Sequence, residues 1–347
     1  MSRPPPPLTA LTWTPELAAA LACAAAAIAR LDARISASSL APAWRLRASW
    51  SGYAHGLRLQ QFAIEEIDII AFHCDIRLAG RAASPTAGEP FAAYAAWREQ
   101  LVHGEGRHWR EGLPFSFDLP SGWTEAPALV RALGVLDAWA RTDRSIAPWL
   151  AFPLLLQRFG ITRTALPCLV AGDAGQRFAL DPRPALLKRL LKQLCRAAED
   201  GLVRLERLET TARRSAAAIT GQHRPGKLAD LGRIALARPC LAARRLAPLL
   251  GITVSGAGKL LTRATRLGLL VETSGRETWR SYITPDIALA LGLVAPERGR
   301  PRSVPHPTRA IASVLADFDA EMATLDARLE RLGMLYEPVA LDQTADI

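Results

Sequence analysis

The 347-residue chain holds few of the residues that do metal and redox chemistry, and those it holds are scattered. It has five cysteines and six histidines. Cys23, Cys74, Cys168, Cys195 and Cys240 form no Cys-x-x-Cys pair, which excludes a zinc ribbon and a dithiol redox motif. Such a scattered, odd set suits reduced thiols in a cytoplasmic protein. His103 and His108 fall in a loop rather than on one helical face, so no metal is expected there. A Gly-rich phosphate loop, a Gly-x-Ser-x-Gly elbow and a dinucleotide fingerprint are all missing. No catalytic residue and no cofactor follow from the sequence, and Gly172-Asp173-Ala174-Gly175 reads as a turn.

Long apolar runs are missing too. Nothing is long enough to span a bilayer, so no membrane partner is expected. The run Leu17 to Ala27 is apolar but does not read as a secretion leader. Thr14-Pro15-Glu16 is a helix start, with a capping hydroxyl, a first-turn proline and an acid near the positive helix end. Charged Arg30, Asp32 and Arg34 follow it.

Positive charge is abundant, with a formal net charge of +10. Its distribution is uneven. From Arg224 to Arg302 there are fourteen Lys and Arg against five Asp and Glu, a local excess of +9. A concentrated basic stretch is the footprint of a polyanion partner.

That stretch contains CLAARRLAPLLGITVSGAGKLLTRATRLGLLVETSGRETWRSYI, residues 240–283. A short helix ends near Leu250, Gly251 makes a turn, and a second helix runs from about Val254 to Leu267. Gly268 stops it, and two strands joined by a Gly-containing turn follow. This order is that of a winged helix-turn-helix, whose second helix enters the DNA major groove. At about 100° per residue, Ser255, Lys259, Thr262, Arg263 and Arg266 share one face. Ala257, Leu260, Leu261, Ala264 and Leu267 share the other. The first set has short side chains at its start and arginines further on, which suits base edges and phosphates in turn. From the wing, Arg276 and Arg280 reach phosphate or the minor groove. Trp279 suits a core position. Gly256 and Gly258 are poor helix formers that permit close backbone approach. Pro248 inside the first helix predicts a short or tilted element.

The expected fold is mainly α. N-terminal helical domains precede the winged helix-turn-helix, and a C-terminal amphipathic helix follows. Boundaries fall at 1–110, 111–225, 226–295 and 296–347. Helices are expected over 14–35, 41–61, a stretch ending near Val102, 126–141, 145–158, 183–220 and 227–238. Residues 64–72 fit helix or strand equally. Residues 103–125 read as a domain connection. The cluster Glu65, Glu66 and Asp68 reads as a solvated face, and His73 and Asp75 share a face only on a strand. Near the C-terminus, Ile311, Leu315, Phe318, Met322, Leu325, Leu329 and Leu332 make a heptad seam. A homodimer through this seam and packing on the same chain are equally consistent with it.

The run ARRLAPLLGITVSGAGKLLTRATRLGLLVETSGR resembles the C-terminal helix-turn-helix of the bacterial domain-of-unknown-function family 1612. Residues 145–182, together with LDARISASSLAPAWRLRASW and IDIIAFHCDIR, resemble the central and opening parts of that family. The resemblance implies a DNA-binding fold rather than an activity. The order of parts is also similar to Fic-type adenylyltransferases, the helix LLKRLLKQLCRAAEDGLVRLERLE resembling the one after their active site. Their chemistry needs a His-Pro-Phe-x-x-Gly-Asn-Gly-Arg loop. Here the single His-Pro, His306-Pro307, continues Thr308-Arg309-Ala310. Gln61 and Glu66 around Glu65 also depart from the inhibitory Ser/Thr-x-x-x-Glu-Gly pattern. The expected function is that of a transcription regulator on double-stranded DNA. The alternatives are a Fic-related nucleotide-handling protein and a non-catalytic partner-binding protein.

Overall fold

The structure, a computed structural model, describes residues 7–74, 88–103, 108–178, 183–273, 280–290 and 292–294. The fold is mainly α, with eleven helices and three short strands among the described residues. α1 (Pro15–Ala37) starts where the sequence sets it, with the Thr14 hydroxyl accepting from the Leu17 amide at 3.3 Å. α2 is Ala41–Leu59, α3 Glu66–Cys74 and α4 Gly88–His103. α5 spans Ala128–Thr142, α6 Ala147–Arg158 and α7 Arg183–Thr220. The 38 residues of α7 make a rod of about 57 Å.

α1 and α7 lie side by side and run parallel. Lys188 meets Glu16 near their starts, and Arg34 meets Glu209 at 3.0 Å towards their ends. Both carry a heptad stripe. On α1 it runs Leu17, Leu21, Ala24, Ile28, Leu31 and Ile35. On α7 it runs Leu187, Leu191, Leu194, Ala198, Gly201, Leu205 and Leu208. All of these are buried except Leu21, which is half-buried. Gly201 leaves no room for a side chain: its carbonyl accepts from Trp44 Nε1 at 2.9 Å, and an added Cβ would meet Leu31, Cys168 and Trp44.

Of residues 103–125, expected to connect domains, the described part from 108 onward contributes instead to the core. Trp109 and Trp123 are buried; Trp109 stacks on Phe159 and meets Phe117 edge to face, and Trp123 packs at a tilt against Trp109 and Phe117. One continuous apolar core therefore runs across the expected 110/111 boundary. The ambiguous 64–72 stretch is helical from Glu66 onward, and Asp75 lies outside the described residues. Glu66 is not solvated as expected. It accepts both guanidinium nitrogens of Arg204 at 2.6 and 2.8 Å, tying α3 to α7. Asp68 accepts the Glu65 amide at 2.9 Å and closes the first turn of α3. Residues 172–175, read as a turn, lead instead into a short 3-10 helix, Ala174–Phe178, whose start is held by Asp173 Oδ1 accepting the Gly175 amide at 2.8 Å.

Two histidines are held neutral by this core. Burial, with Arg58 near His55 and Arg98 near His73, pushes both down to about 4. The His73 ring lies 4.0 Å from that of Tyr94. A folded-state value below the unfolded one means that the unfolded chain binds more protons between about pH 6.5 and 4. Stability is thus full above that window and lost as pH falls through it, by about 2 kcal/mol for His55 and by less for the more exposed His73, whose charged form water screens. Urea unfolding from pH 7 to 4.5 measures this. The double variant His55→Gln, His73→Gln should flatten the profile; an unchanged slope would remove these residues as its cause.

The last described portion is built on a small antiparallel sheet. α8 is Leu228–Ala237, β1 Cys240–Ala242, α9 Ala243–Leu250 and α10 Val254–Arg266. β2 is Val271–Glu272, β3 Ser281–Ile283 and α11 Pro285–Ala290. The strand order is β1-β3-β2, with Leu241 opposite Tyr282 and Glu272 opposite Tyr282 on the other side. Alternation sends Leu241 and Tyr282 into a core shared with α8, α9 and α10. Cys240 and Ile283 point the other way, into the core of the N-terminal helices. The sheet is covered on both faces, and residues 1–295 form one compact unit. Residues 296–347, with the expected heptad seam, lie outside the described residues.

Candidate nucleic-acid interface

Two glycine stops shape the helix-turn-helix. At the end of α9, Gly251 is left-handed, with φ 62°. Its amide bonds to Pro248 O at 3.4 Å, and the Ile252 amide to Ala247 O at 3.0 Å. This double closure is the Schellman motif, which a Cβ at Gly251 would disfavour. Gly268 ends α10 in the same way, with φ 70° and the Leu269 amide on Ala264 O at 2.9 Å. Pro248 is exposed, only two residues from the end of α9. The helix is eight residues long, so the proline costs it one internal hydrogen bond near a terminus where few remain.

α10 begins under a side-chain cap, the Thr253 hydroxyl accepting the Gly256 amide at 3.1 Å. Ala257, Leu261 and Ala264 are buried against the unit's own core, while Leu260 and Leu267 are half-buried. The opposite face presents Ser255, Lys259 and Arg266, all exposed. Among the described residues, neither Lys259 nor Arg266 forms an ion pair. Thr262 is half-buried and its hydroxyl turns back to Gly258 O at 3.0 Å. Val254 opens the helix with half its surface in solvent.

Arg263 is placed differently from its helical neighbours. It is half-buried, and Nη2 donates to Gln222 Oε1 at 3.2 Å and to Arg224 O at 2.9 Å. It fastens α10 to the turn that follows α7. In the wing, Arg280 is half-exposed with Nε 3.5 Å from Glu272 Oε1 across the β2–β3 pair. Arg276 and Trp279 lie outside the described residues.

Three features of this region were not read from the sequence. β1 was not foreseen, because three residues are too few for periodicity to register. Arg244 and Arg245 are exposed at the start of α9; the charge count included them but no role followed. The third is the anchoring of the unit. Arg47 of α2 is buried, and it donates from Nε to Leu236 O at 2.9 Å and from Nη2 to Ala235 O at 3.1 Å. Its Nη1 meets the buried carboxylate of Asp286 on α11. One arginine thereby caps the end of α8 and holds the segment after β3.

Among the described residues, no three His, Cys, Asp or Glu side chains stand close enough to hold a metal ion. No helix there is long and apolar enough to cross a membrane. No protein-family model matches the chain, and no curated protein matches it.

Proposed function

We propose that this chain binds double-stranded DNA by laying α10 in the major groove and acts as a transcription regulator. The observation that carries this reading is the division of α10. One face is packed, while the other offers Ser255, Lys259 and Arg266 to solvent, at the centre of the stretch holding most of the chain's excess charge. The short first turn suits close approach to base edges, and the cations further along suit phosphate. The helix N-terminus adds a partial positive charge of its own. Arg280 and Arg276 act from the wing, Arg244 and Arg245 from α9. Arg263 positions the helix, and Thr262 stands at the edge of the contact face. A second copy, joined through the 308–332 seam, would pair two half-sites.

Fluorescence anisotropy with the full chain and labelled duplexes, over a salt series, tests it. Each lost phosphate contact lowers the log–log salt slope by roughly 0.9. Lys259→Ala, Arg266→Ala should therefore flatten the slope by about two units and weaken binding at least tenfold near 0.1 M salt. Arg263→Ala should weaken binding with little change of slope. No binding by the wild-type chain at low salt would end the DNA reading. Unchanged slope in the double variant would move the interface elsewhere.

A further inference from the structure

Cys23 and Cys195 are 172 residues apart in sequence, yet their sulfurs lie 2.6 Å apart across the parallel α1–α7 pair. Both are free thiols. The gap exceeds a disulfide bond by only about half an ångström. The two residues differ in access: Cys23 is exposed at the helix surface, and Cys195 is buried. Glu199, one turn further along α7, places Oε1 at 3.8 Å from the Cys195 sulfur.

We propose that Cys23 and Cys195 are a reversible disulfide site that locks α1 to α7, formed by exchange with a low-molecular-weight disulfide. The exposed Cys23 thiolate attacks one sulfur of the small disulfide. A mixed disulfide forms on Cys23 and one small thiol leaves. Cys195 then gives its proton to Glu199 or water and attacks the Cys23 sulfur, releasing the second small thiol. Two protein thiols are oxidised by two electrons and one small disulfide is reduced to two thiols. The order of attack follows from the environment. Burial, then Cys23 and Glu199, push the Cys195 thiol up to about 12, so it is a poor first nucleophile and acts once the mixed disulfide stands beside it. The loop closed by the bond is long, where cross-links constrain the unfolded chain most.

The test uses the full chain, reduced and then equilibrated in mixtures of reduced and oxidised glutathione. Free thiols are alkylated and the digest is read by mass spectrometry. The expected result is a Cys23–Cys195 linked peptide, loss of two alkylatable thiols, and a thermal midpoint about 5 °C higher. Cys23→Ser, an exposed and conservative change, should abolish the link, while Cys168→Ser keeps it. Glutathione retained on Cys23 with Cys195 still alkylatable would overturn the proposal. So would a link through any other cysteine.

Discussion

Arg47→Ala is expected to cost about 4 kcal/mol. The change leaves the Asp286 carboxylate buried without its cation, and the carbonyls of Ala235 and Leu236 without their donor. A charge stranded in this way typically costs 3–5 kcal/mol. The pair itself need not be net stabilising, because both partners gave up water to meet. The contrast yields a second measurement. Arg47→Met combined with Asp286→Leu removes both charges and should recover a good part of the loss, a coupling that a double-mutant cycle reads directly. Urea unfolding gives the energies. Amide exchange across Cys240–Ala242 and Ser281–Ile283 reports whether the sheet loosens from the N-terminal helices first. A loss below 1 kcal/mol for Arg47→Ala would show that the anchor lies elsewhere.

Gly52→Ala should destabilise by about 3 kcal/mol, although helix propensity argues for the opposite. Gly52 lies inside α2, where alanine is ordinarily favoured by up to about 1 kcal/mol. Here an added Cβ would drive into the Pro167 carbonyl, with Val170 at 3.3 Å as well. The obstacle is backbone, and it is flanked by fully buried Leu166 and Leu169. Neither side can step aside without disturbing packed core, and overpacking of this kind costs on the order of 1–3 kcal/mol or more. Gly258→Ala supplies the control. Nothing lies within 4 Å of its added Cβ, so propensity acts alone and a small gain is expected. Equal stability of wild type and Gly52→Ala in urea would falsify this account of the contact.

Much of α1 and of the helix-turn-helix was legible because their signals are local. Thr14, Gly251 and Gly268 act within five residues of themselves, and each does in the structure what its position predicts. The alternation of Ala257, Leu261 and Ala264 with Ser255, Lys259 and Arg266 is likewise a property of one helix. Arg263 shows the limit. Its place on the helical wheel is right, but its guanidinium is engaged by Gln222 and Arg224, 41 and 39 residues earlier. No periodicity reports a partner at that distance.

Residues 103–125 mark a second limit. Glycine, proline and charge made them read as a connection, while their aromatic residues went uncounted as core. Glu66 follows the same pattern, an acid that reads as solvated until Arg204 is brought beside it, 138 residues away.

What the sequence alone determined is the helical class, the main helix boundaries and the helix-turn-helix with its basic face. These follow from hydrogen bonds and side-chain contacts three to five residues apart, and such contacts are written in order along the chain. Only the tertiary structure decided that α1 and α7 pair in parallel, that Cys23 meets Cys195, and that Arg47 joins the two cores. Those meetings depend on how apolar faces from distant segments fit together. Each heptad stripe states that a partner exists, and only packing selects which one.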